Sequence, residues 1–171
     1  MTFAVNLATV GSNATATGTL IQSGTAVAST SGTSIDFTSL PTWVKRITVM
    51  FSGVSLSGIS SPLIQIGSGS VQNTGYVATS GITSGVSTIS STAGFPVYSQ
   101  TPTVSQSGCV SIVLVGSNVY VASGVVSILT NSTATVGGTV TLSGILTQLR
   151  ITTVNGTDTF DAGTINISYE G

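Results

Sequence analysis

The chain has 171 residues, a length typical of one domain, and only 4% of them are charged; it has one cysteine and no histidine. Without histidine the usual general base near neutral pH is missing, and three basic residues are too few to neutralise a nucleic-acid backbone. We therefore expect neither an enzyme nor a nucleic-acid-binding protein. Net charge is only −1 and β-branched residues are abundant, so we expect a folded chain.

The first part of the chain differs from the rest. In residues 1–24 Ala, Thr, Asn, Ser and Gly dominate, and the spacing of apolar residues is irregular. This segment also lacks the basic stretch and apolar run of a signal peptide, which predicts synthesis in a cytoplasm. We interpret residues 1–24 as an N-terminal arm or anchor segment and residues 25–171 as one β-sandwich domain.

Along most of the chain the apolar pattern has a period of two, which predicts strands. The strands are expected at 18–22, 25–29, 33–37, 43–51, 62–67, 71–79, 86–90, 108–116, 118–122, 124–130, 135–142, 145–154 and 164–170. Turn signals separate them, among them residues 94–96, 116–118, 137–138 and 155–156. This rhythm is typical of an all-β fold, either an antiparallel β-sandwich, a jelly roll or a barrel.

Five of the seven charges can be placed by alternation along these strands. Arg46 shares a face with Thr48, and the same reasoning predicts an outward position for three further charged residues. We expect these four charges to form pairs across neighbouring strands: Asp36, Arg46, Arg150 and Glu170. Lys45 would then point inward at the start of its strand, with its ammonium group reaching water or a carboxylate.

Four other side chains are expected in the interior. Trp43 begins the clearest strand, and with Phe37 and Phe51 it is interpreted as part of the core. Cys109 has no partner for a disulfide within the chain, and its apolar neighbours predict a buried, inert thiol.

Residues 47–149 contain no charge at all. Natural sheets usually protect their edges with charges, proline or covering loops, because an unprotected edge recruits another chain. The sequence therefore favours a tightly packed homo-oligomer, and the alternative is a monomer kept soluble by its hydroxyl groups. Residues 109–129 are apolar on average, but serine, glycine and asparagine interrupt them, so no membrane insertion is expected.

Asp158 and Asp161 are the only carboxylates close together in sequence. Three uses are considered for them: binding of backbone N–H groups within a turn, coordination of a hard cation such as Ca²⁺ with help from Asn155, and glycoside hydrolysis. The first is favoured because the two residues lie in one turn-rich segment. They remain weak candidates for a metal site, and no cofactor is expected.

A neutral surface can also bind partners through stacking and hydrogen bonds. Tyrosines near turn-rich stretches are accompanied by amide side chains, and we take them as candidates for surface contact with a glycan or a protein loop. These candidates are Tyr76, Tyr98, Tyr120, Gln72, Asn73 and Gln100. The alternative is that the tyrosines pack beneath loops.

Three segments carry a resemblance to a known family: WVKRITVMFSGV at 43–54, PLIQIGSG at 62–69 and GTDTFDAGTINISYE at 156–170. Together they resemble the β-rich C-terminal domain of bacteriophage tail-fibre and related virion proteins, including those of phages with cyanobacterial and other aquatic hosts. The resemblance spans roughly residues 25–171, and its last segment is the most specific.

The resemblance implies a virion protein made in the host cytoplasm, with a jelly-roll-like sandwich in a homotrimer and no catalytic residues. Tail fibre, capsid fibre and head decoration all fit this interpretation. The arm at residues 1–24 would bind other virion proteins, and the loops of the sandwich would face outward. The alternative function is a receptor- or glycan-binding module for attachment to the host cell.

Overall fold

The structure is a computed structural model that describes residues 21–99, 101–102, 104–129 and 132–171. Its strands, in chain order, are β1 (Gln22–Ser23), β2 (Val27–Ala28), β3 (Ile35–Phe37), β4 (Arg46–Leu56), β5 (Pro62–Ser68), β6 (Ser70–Val71), β7 (Val77–Ile82), β8 (Thr88–Ser91), β9 (Phe95–Pro96), β10 (Gln106–Gly116), β11 (Val119–Leu129), β12 (Ser132–Thr141), β13 (Gln148–Thr153) and β14 (Phe160–Glu170). These described ranges contain no helix of the length and apolarity that crossing a bilayer requires.

Two antiparallel sheets pack together as a β-sandwich, which confirms the predicted all-β class. Within the described chain, the large sheet has the order β1, β14, β4, β10, β11, β12, β7, β8, and β2 also pairs with β14. The small sheet has the order β3, β13, β5, β6, and β9 pairs with β5. Consecutive strands often lie in different sheets, so most contacts join distant parts of the sequence.

The core lies between the sheets and follows the predicted alternation. In β4, Ile47, Val49 and Phe51 are buried, while Arg46 is exposed and Thr48 is half-buried. The small sheet contributes buried side chains such as Ile64 from β5. Because burial of each large aliphatic side chain stabilises a fold by about 1.5–3 kcal/mol, this shared core is the main source of stability.

Glycines explain two differences from the predicted strand boundaries. The sequence predicts a break near Ser123, but β11 is one continuous strand. A Cβ atom on Gly124 would lie 2.5 Å from the carbonyl oxygen of Cys109, so glycine permits close approach of β10 rather than a turn. Gly137 and Gly138, predicted as a turn, likewise lie within β12, where a Cβ on Gly138 would lie 2.7 Å from the Cα of Ala78.

Two other boundaries also differ. The segment predicted as a single strand at 71–79 is divided between the end of β6 and the start of β7. The predicted turn at 94–96 contains β9, where Phe95 pairs with Ile64 and Pro96 with Leu63. Proline is compatible with this position because β9 pairs with β5 alone, so its missing N–H breaks no second ladder.

The four charges predicted on outward faces form two ion pairs. Arg46 on β4 donates a hydrogen bond of 2.7 Å to Glu170 on β14. Arg150 on β13 binds both carboxylate oxygens of Asp36 on β3, at 2.6 and 3.1 Å. Both pairs join residues that are directly opposite in register. Exposed cross-strand pairs of this kind contribute about 0.2–1 kcal/mol each and help to fix register.

Two expected interior positions are wrong. Lys45 is exposed, because alternation begins only at Arg46 and the backbone of Lys45 lies between Glu170 and Leu114. Cys109 is exposed as well, because it alternates with the inward-facing Val110. The apolar neighbours in sequence therefore belong partly to the opposite face.

The three aromatic residues predicted for the core differ in burial. Phe37 and Phe51 are buried, whereas Trp43 is half-buried at the surface of the core. The ring of Trp43 lies against that of Tyr169, with centroids 5.8 Å apart. Trp43 precedes β4 and therefore covers the end of the sandwich instead of filling its centre.

Candidate functional site

The sandwich has two ends with different loops. The chain enters the described fold at Ile21, just before Gln22, which pairs with Tyr169 near the end of β14. We call this the entry end, and it also carries the β12 to β13 connection. The opposite, distal end carries the loops at 57–61, 83–87 and 154–159, which follow β4, β7 and β13. Chain entry and these loops therefore lie at opposite ends of the strands.

At the distal end, the loops at 57–61 and 154–159 are bound to each other; we call them the distal loop pair. The backbone N–H of Ser57 donates to the carbonyl of Thr159 at 2.8 Å, and that of Thr159 donates to Ser57 Oγ at 2.9 Å. The N–H of Val154 donates to the carbonyl of Ser61 at 2.9 Å. These bonds hold both ends of each loop.

Asp158 lies at the centre of the distal loop pair. Its Oδ1 accepts a hydrogen bond of 2.8 Å from Asn155 Nδ2, and its Oδ2 accepts one of 2.9 Å from the backbone N–H of Ser60. These donors stabilise the charged carboxylate and lower the pKa of Asp158 below its ordinary value, and Asn155 has the larger effect of the two. The carboxylate thus accepts one hydrogen bond from each of the two loops and connects them.

Asn155 organises its own loop. Its Oδ1 accepts hydrogen bonds from the backbone N–H groups of Thr157, at 3.0 Å, and Asp158, at 3.1 Å. Gly156 adopts a φ of +70°, the left-handed conformation predicted for this Asn-Gly turn. Asn155 and Asp158 together form a side-chain network that is fixed before any partner binds.

The distal loop pair carries exposed aliphatic side chains on this rigid frame. Ile59 is 71% exposed and Val154 is 46% exposed. Apolar side chains on a preorganised loop lose little conformational entropy on binding and release water when covered. This combination gives the distal loop pair the properties of a contact site for another surface.

Asp161 has a different environment from Asp158. It lies on β14, and its carboxylate accepts a hydrogen bond from Ser55 Oγ of β4. The two carboxylates therefore bind separate groups. Residues 21–99, 101–102, 104–129 and 132–171 contain no group of three or more His, Cys, Asp or Glu side chains arranged for a metal ion.

The tyrosine candidates for surface contact require correction. Tyr76 and Tyr120 are each only 1% exposed and belong to the core. The phenol oxygen of Tyr76 accepts a hydrogen bond of 2.8 Å from the N–H of Ile66 and lies 3.1 Å from the carbonyl oxygens of Ile66 and Gln72. The phenol of Tyr120 forms a hydrogen bond with the backbone of Leu146, so both phenols are used inside the fold and cannot contact a partner.

The remaining candidates do not gather at one place. Gln72 is half-buried and donates to the carbonyls of Thr74 and Thr141, so its amide group braces the entry end. Asn73 beside it is exposed, whereas the half-buried Tyr98 follows β9 toward the distal end. Gln100 lies outside the described residues. The predicted contact set is thus divided between the two ends.

No family model, curated protein or solved structure matches this chain. Its function must therefore be argued from its own geometry. The sequence reasoning missed Ile59, because an isolated isoleucine between serines carries no recognisable signal. Asn155 and Asp158 were noted as a turn, but their bonds to residue 60, almost a hundred positions away, could not be read from the sequence.

Proposed function

We propose that this chain is a structural protein of a bacteriophage virion, of the tail-fibre, capsid-fibre or head-decoration type. In this proposal a jelly-roll-like β-sandwich head projects from the particle as a homotrimer. The chain is made in the host cytoplasm and located in the virion. The observation that carries the proposal is the separation of the two ends: the chain enters at Ile21, and the distal loop pair lies at the other end of the strands.

This separation suits a projecting head. Residues preceding Ile21 would bind other virion proteins, and attachment at the entry end leaves the distal loop pair facing away from the particle. The contacts within the fold also suit a particle exposed to varied solution conditions. Most of them are backbone ladders and apolar packing, and both are less sensitive to salt than surface ion pairs are.

The virion assignment is tested on purified particles of the virus that encodes the chain. Antibodies raised against the recombinant protein should label intact particles in electron microscopy, and the chain should be found in particles washed at high salt. Absence of the chain from such particles would overturn the assignment.

The attachment segment is tested separately with a chain that lacks residues 1–20. This truncation keeps β1, whose Gln22 and Ser23 pair with β14, so the sandwich should still fold. We expect the truncated protein to be soluble and to be absent from particles when it is expressed during infection beside the full chain. Incorporation of both forms in equal amounts would show that another part of the protein makes the attachment.

A second candidate function is attachment to the host cell, and the exposure of Ile59 on the distal loop pair favours it. Stacking on tyrosine, a common means of binding glycans, is not offered by the buried Tyr76 and Tyr120. An exposed aliphatic side chain surrounded by hydroxyl groups is better suited to an uncharged protein surface. The partner in this candidate function is therefore a host surface protein.

This candidate is tested by competition. Purified full chain should slow adsorption of the virus to host cells, and the Ile59→Glu variant should lose most of this effect. Ile145→Glu is the matched control, because Ile145 is 52% exposed and lies in the β12 to β13 connection at the entry end. If the wild-type chain does not compete, or both variants compete equally, attachment through the distal loop pair is wrong.

A further inference from the structure

The outer face of the large sheet is broad and nearly free of charge. We define it by the outward-facing residues of the strands from β14 to β8. These residues form rows across the sheet, because directly paired residues of neighbouring strands point to the same side, and three successive rows begin at the entry end. The middle row consists of Ser168, Thr48, Ser111, Ser123, Gly137, Thr79 and Ser90.

Rows with apolar side chains flank this middle row on both sides. One contains Met50, Cys109 and Val125, which are paired directly through β4, β10 and β11. The other contains Val113 and Val121, and it continues through a threonine to Val77 on β7. Val125 is 53% exposed and Val77 is 72% exposed. From the entry end these three rows are apolar, hydroxyl and apolar, and a further hydroxyl row of Ser107, Ser127 and Thr133 follows toward the distal end.

The middle row is satisfied internally in part. Thr48 Oγ1 and Ser111 Oγ lie 3.2 Å apart and share a hydrogen bond. Gly137 leaves open space where a side chain would stand, since no atom lies within 4 Å of its Cβ position. The side chains of the middle row are therefore polar and project less far from the sheet than those of the apolar rows beside it. Another surface could approach the middle row closely.

The charged side chains of the outer face all lie at its β14 and β4 side: Arg46 and Glu170 at the entry end, and Asp161, which accepts a hydrogen bond from Ser55 Oγ, at the distal end of β14. Arg46 and Glu170 form their ion pair at the entry end, beside Val113. From β10 to β8 the face has no charged side chain, because residues 47–149 contain none. A charged partner would lose hydration there without gaining a counter-charge. A second copy of the chain offers a surface that is neutral over the same area.

The size of the face is sufficient for a stable contact. The five long strands, β14, β4, β10, β11 and β12, span about 24 Å across and about 33 Å along the strands at the usual strand dimensions, or about 800 Å². A specific interface of standard size buries about 800 Å² on each partner. The outer face alone can therefore supply one subunit contact.

We propose that the outer face of the large sheet is the contact between copies of this chain. The inference rests on the self-association included in the proposed function and identifies the surface that makes it. Around a symmetry axis parallel to the strands, each row meets the same row of the neighbouring copies, so apolar rows meet apolar rows and hydroxyl rows meet hydroxyl rows. The same axis directs every Ile21 to one end and every distal loop pair to the other.

The test introduces a charge at the centre of the face. In Val125→Glu, each copy would place a carboxylate in an apolar row that faces the same row of the neighbouring copy. The copies should therefore separate, and the mass measured by light scattering should fall from a multiple of 17.0 kDa to 17.0 kDa. The matched control is Val86→Glu, because Val86 is fully exposed in the loop at 83–87 and lies off the face. This control should keep the wild-type mass.

Cys109 provides a second measurement without any substitution on the face. It is the only cysteine of the chain, and it is exposed in a single subunit beside Val125. A bulky maleimide should therefore react slowly with the native wild-type oligomer and rapidly with the Val125→Glu monomer. If Val125→Glu does not fold, slow labelling of folded wild type compared with urea-unfolded wild type decides the matter.

The outcomes separate this inference from the proposed function. An oligomer whose Cys109 reacts as rapidly as in the unfolded chain would overturn the assignment of the face, whatever the mass of Val125→Glu, and would leave self-association standing. An oligomer that survives Val125→Glu would overturn it as well. A wild-type chain that is monomeric at all concentrations would reject self-association, while the labelling of virus particles would still test the virion assignment independently.

Discussion

The two ends of the sandwich are closed by different kinds of contact. At the entry end, the phenols of Tyr76 and Tyr120 are buried in apolar surroundings and bind the backbone of Ile66 and Leu146. At the distal end, the N–H of Asn155 donates to Ser60 Oγ and the carboxylate of Asp158 accepts from the N–H of Ser60, so hydrogen bonds at the surface join the two loops. The entry end is therefore part of the core, whereas the distal loop pair is a surface network that can change without unfolding the sheets.

This contrast fits the division of roles proposed above. Attachment to the particle requires an end that does not loosen, and a buried polar group with its full set of partners resists local opening. A loop that contacts a partner needs a fixed shape, but its hydrogen bonds need not contribute much to the free energy of unfolding. Bonds at the surface meet that requirement, because water replaces them when they open.

Removing the ring of Tyr76 should have the largest effect. Tyr76→Ala leaves a cavity beside Phe95, whose ring centroid lies 5.0 Å from that of Tyr76. Large-to-small substitutions of buried aromatic residues reduce the free energy of unfolding by about 3–5 kcal/mol. Denaturant titration measures the change, and Ile59→Ala at the distal end should change it by less than about 0.5 kcal/mol. Equal losses of unfolding free energy in Tyr76→Ala and Ile59→Ala would contradict the view that the entry end belongs to the core and the distal loop pair to the surface.

The hydroxyl group of Tyr76 can be separated from its ring. Tyr76→Phe keeps the packing but leaves the N–H of Ile66 without its 2.8 Å partner. A buried group that loses its partner costs about 1–3 kcal/mol. The free energy of unfolding should therefore fall by less than in Tyr76→Ala, and a neutral result would mean that the backbone of β5 finds another partner.

Alkaline pH should weaken the entry end. Burial raises the pKa of Tyr76 from 10.0 to about 12 despite the opposing hydrogen bond to Ile66. The unfolded chain loses this proton first, so stability is complete below pH 10 and declines as pH rises from 10 toward 12. A difference of this size corresponds to at most about 3 kcal/mol.

The measurement is denaturant unfolding at several alkaline pH values, with Tyr76→Phe as control. The variant is less stable at neutral pH, but it should lose less stability than the wild type between pH 10 and 12. Tyr120, whose pKa burial also raises, remains in both proteins and contributes equally to both curves. Parallel curves for the two proteins would show that Tyr76 ionises as it does in the unfolded chain.

Much of the fold could be predicted from alternation alone. The order of Arg46, Ile47 and Thr48 predicts which side faces the core, and alternation also predicts outward positions for Asp36 and Arg150. That these two pair with each other depends on β3 lying beside β13, which alternation does not predict. The burial of Tyr76 could not be predicted, because its partner Ile66 is supplied by a strand of the other sheet. The exposure of Cys109 was missed because its neighbours were considered without their alternation.

The distal loop pair was even less accessible to sequence reasoning. The Asn-Gly turn at 155–156 is a local signal, and it predicts the left-handed glycine. The bond from Ser60 to Asp158 joins loops that follow different strands and becomes visible only when the two sheets are packed. Local chemistry can thus predict the shape of one loop but not which other loop it binds.

Asn155→Ala should have a smaller effect than either change at Tyr76. The substitution removes the acceptor for the N–H groups of Thr157 and Asp158 and for the hydroxyl of Thr153, and the donor to the Asp158 carboxylate. Water replaces the exposed bonds and only the part-buried Thr153 hydroxyl loses a partner, so the free energy of unfolding should fall by about 1 kcal/mol. Hydrogen exchange should nevertheless become faster at Thr157 and Ser60, while exchange at Ile66 stays unchanged. Faster exchange at Ile66 would mean that the two ends are coupled.

Acid should loosen the distal loop pair alone. Hydrogen bonds from Asn155 and then Ser60 lower the pKa of Asp158, so its contribution is complete above the ordinary value of 3.8 and disappears as pH falls through the lowered value. The amide proton of Ser60, which donates to this carboxylate, should report the titration in NMR with a midpoint below 3.8. Asp158→Asn keeps the shape of the side chain but cannot ionise, so this titration should vanish in the variant. A midpoint at or above 3.8 would mean that the carboxylate gains nothing from its donors and that the two loops are held by their backbone bonds instead.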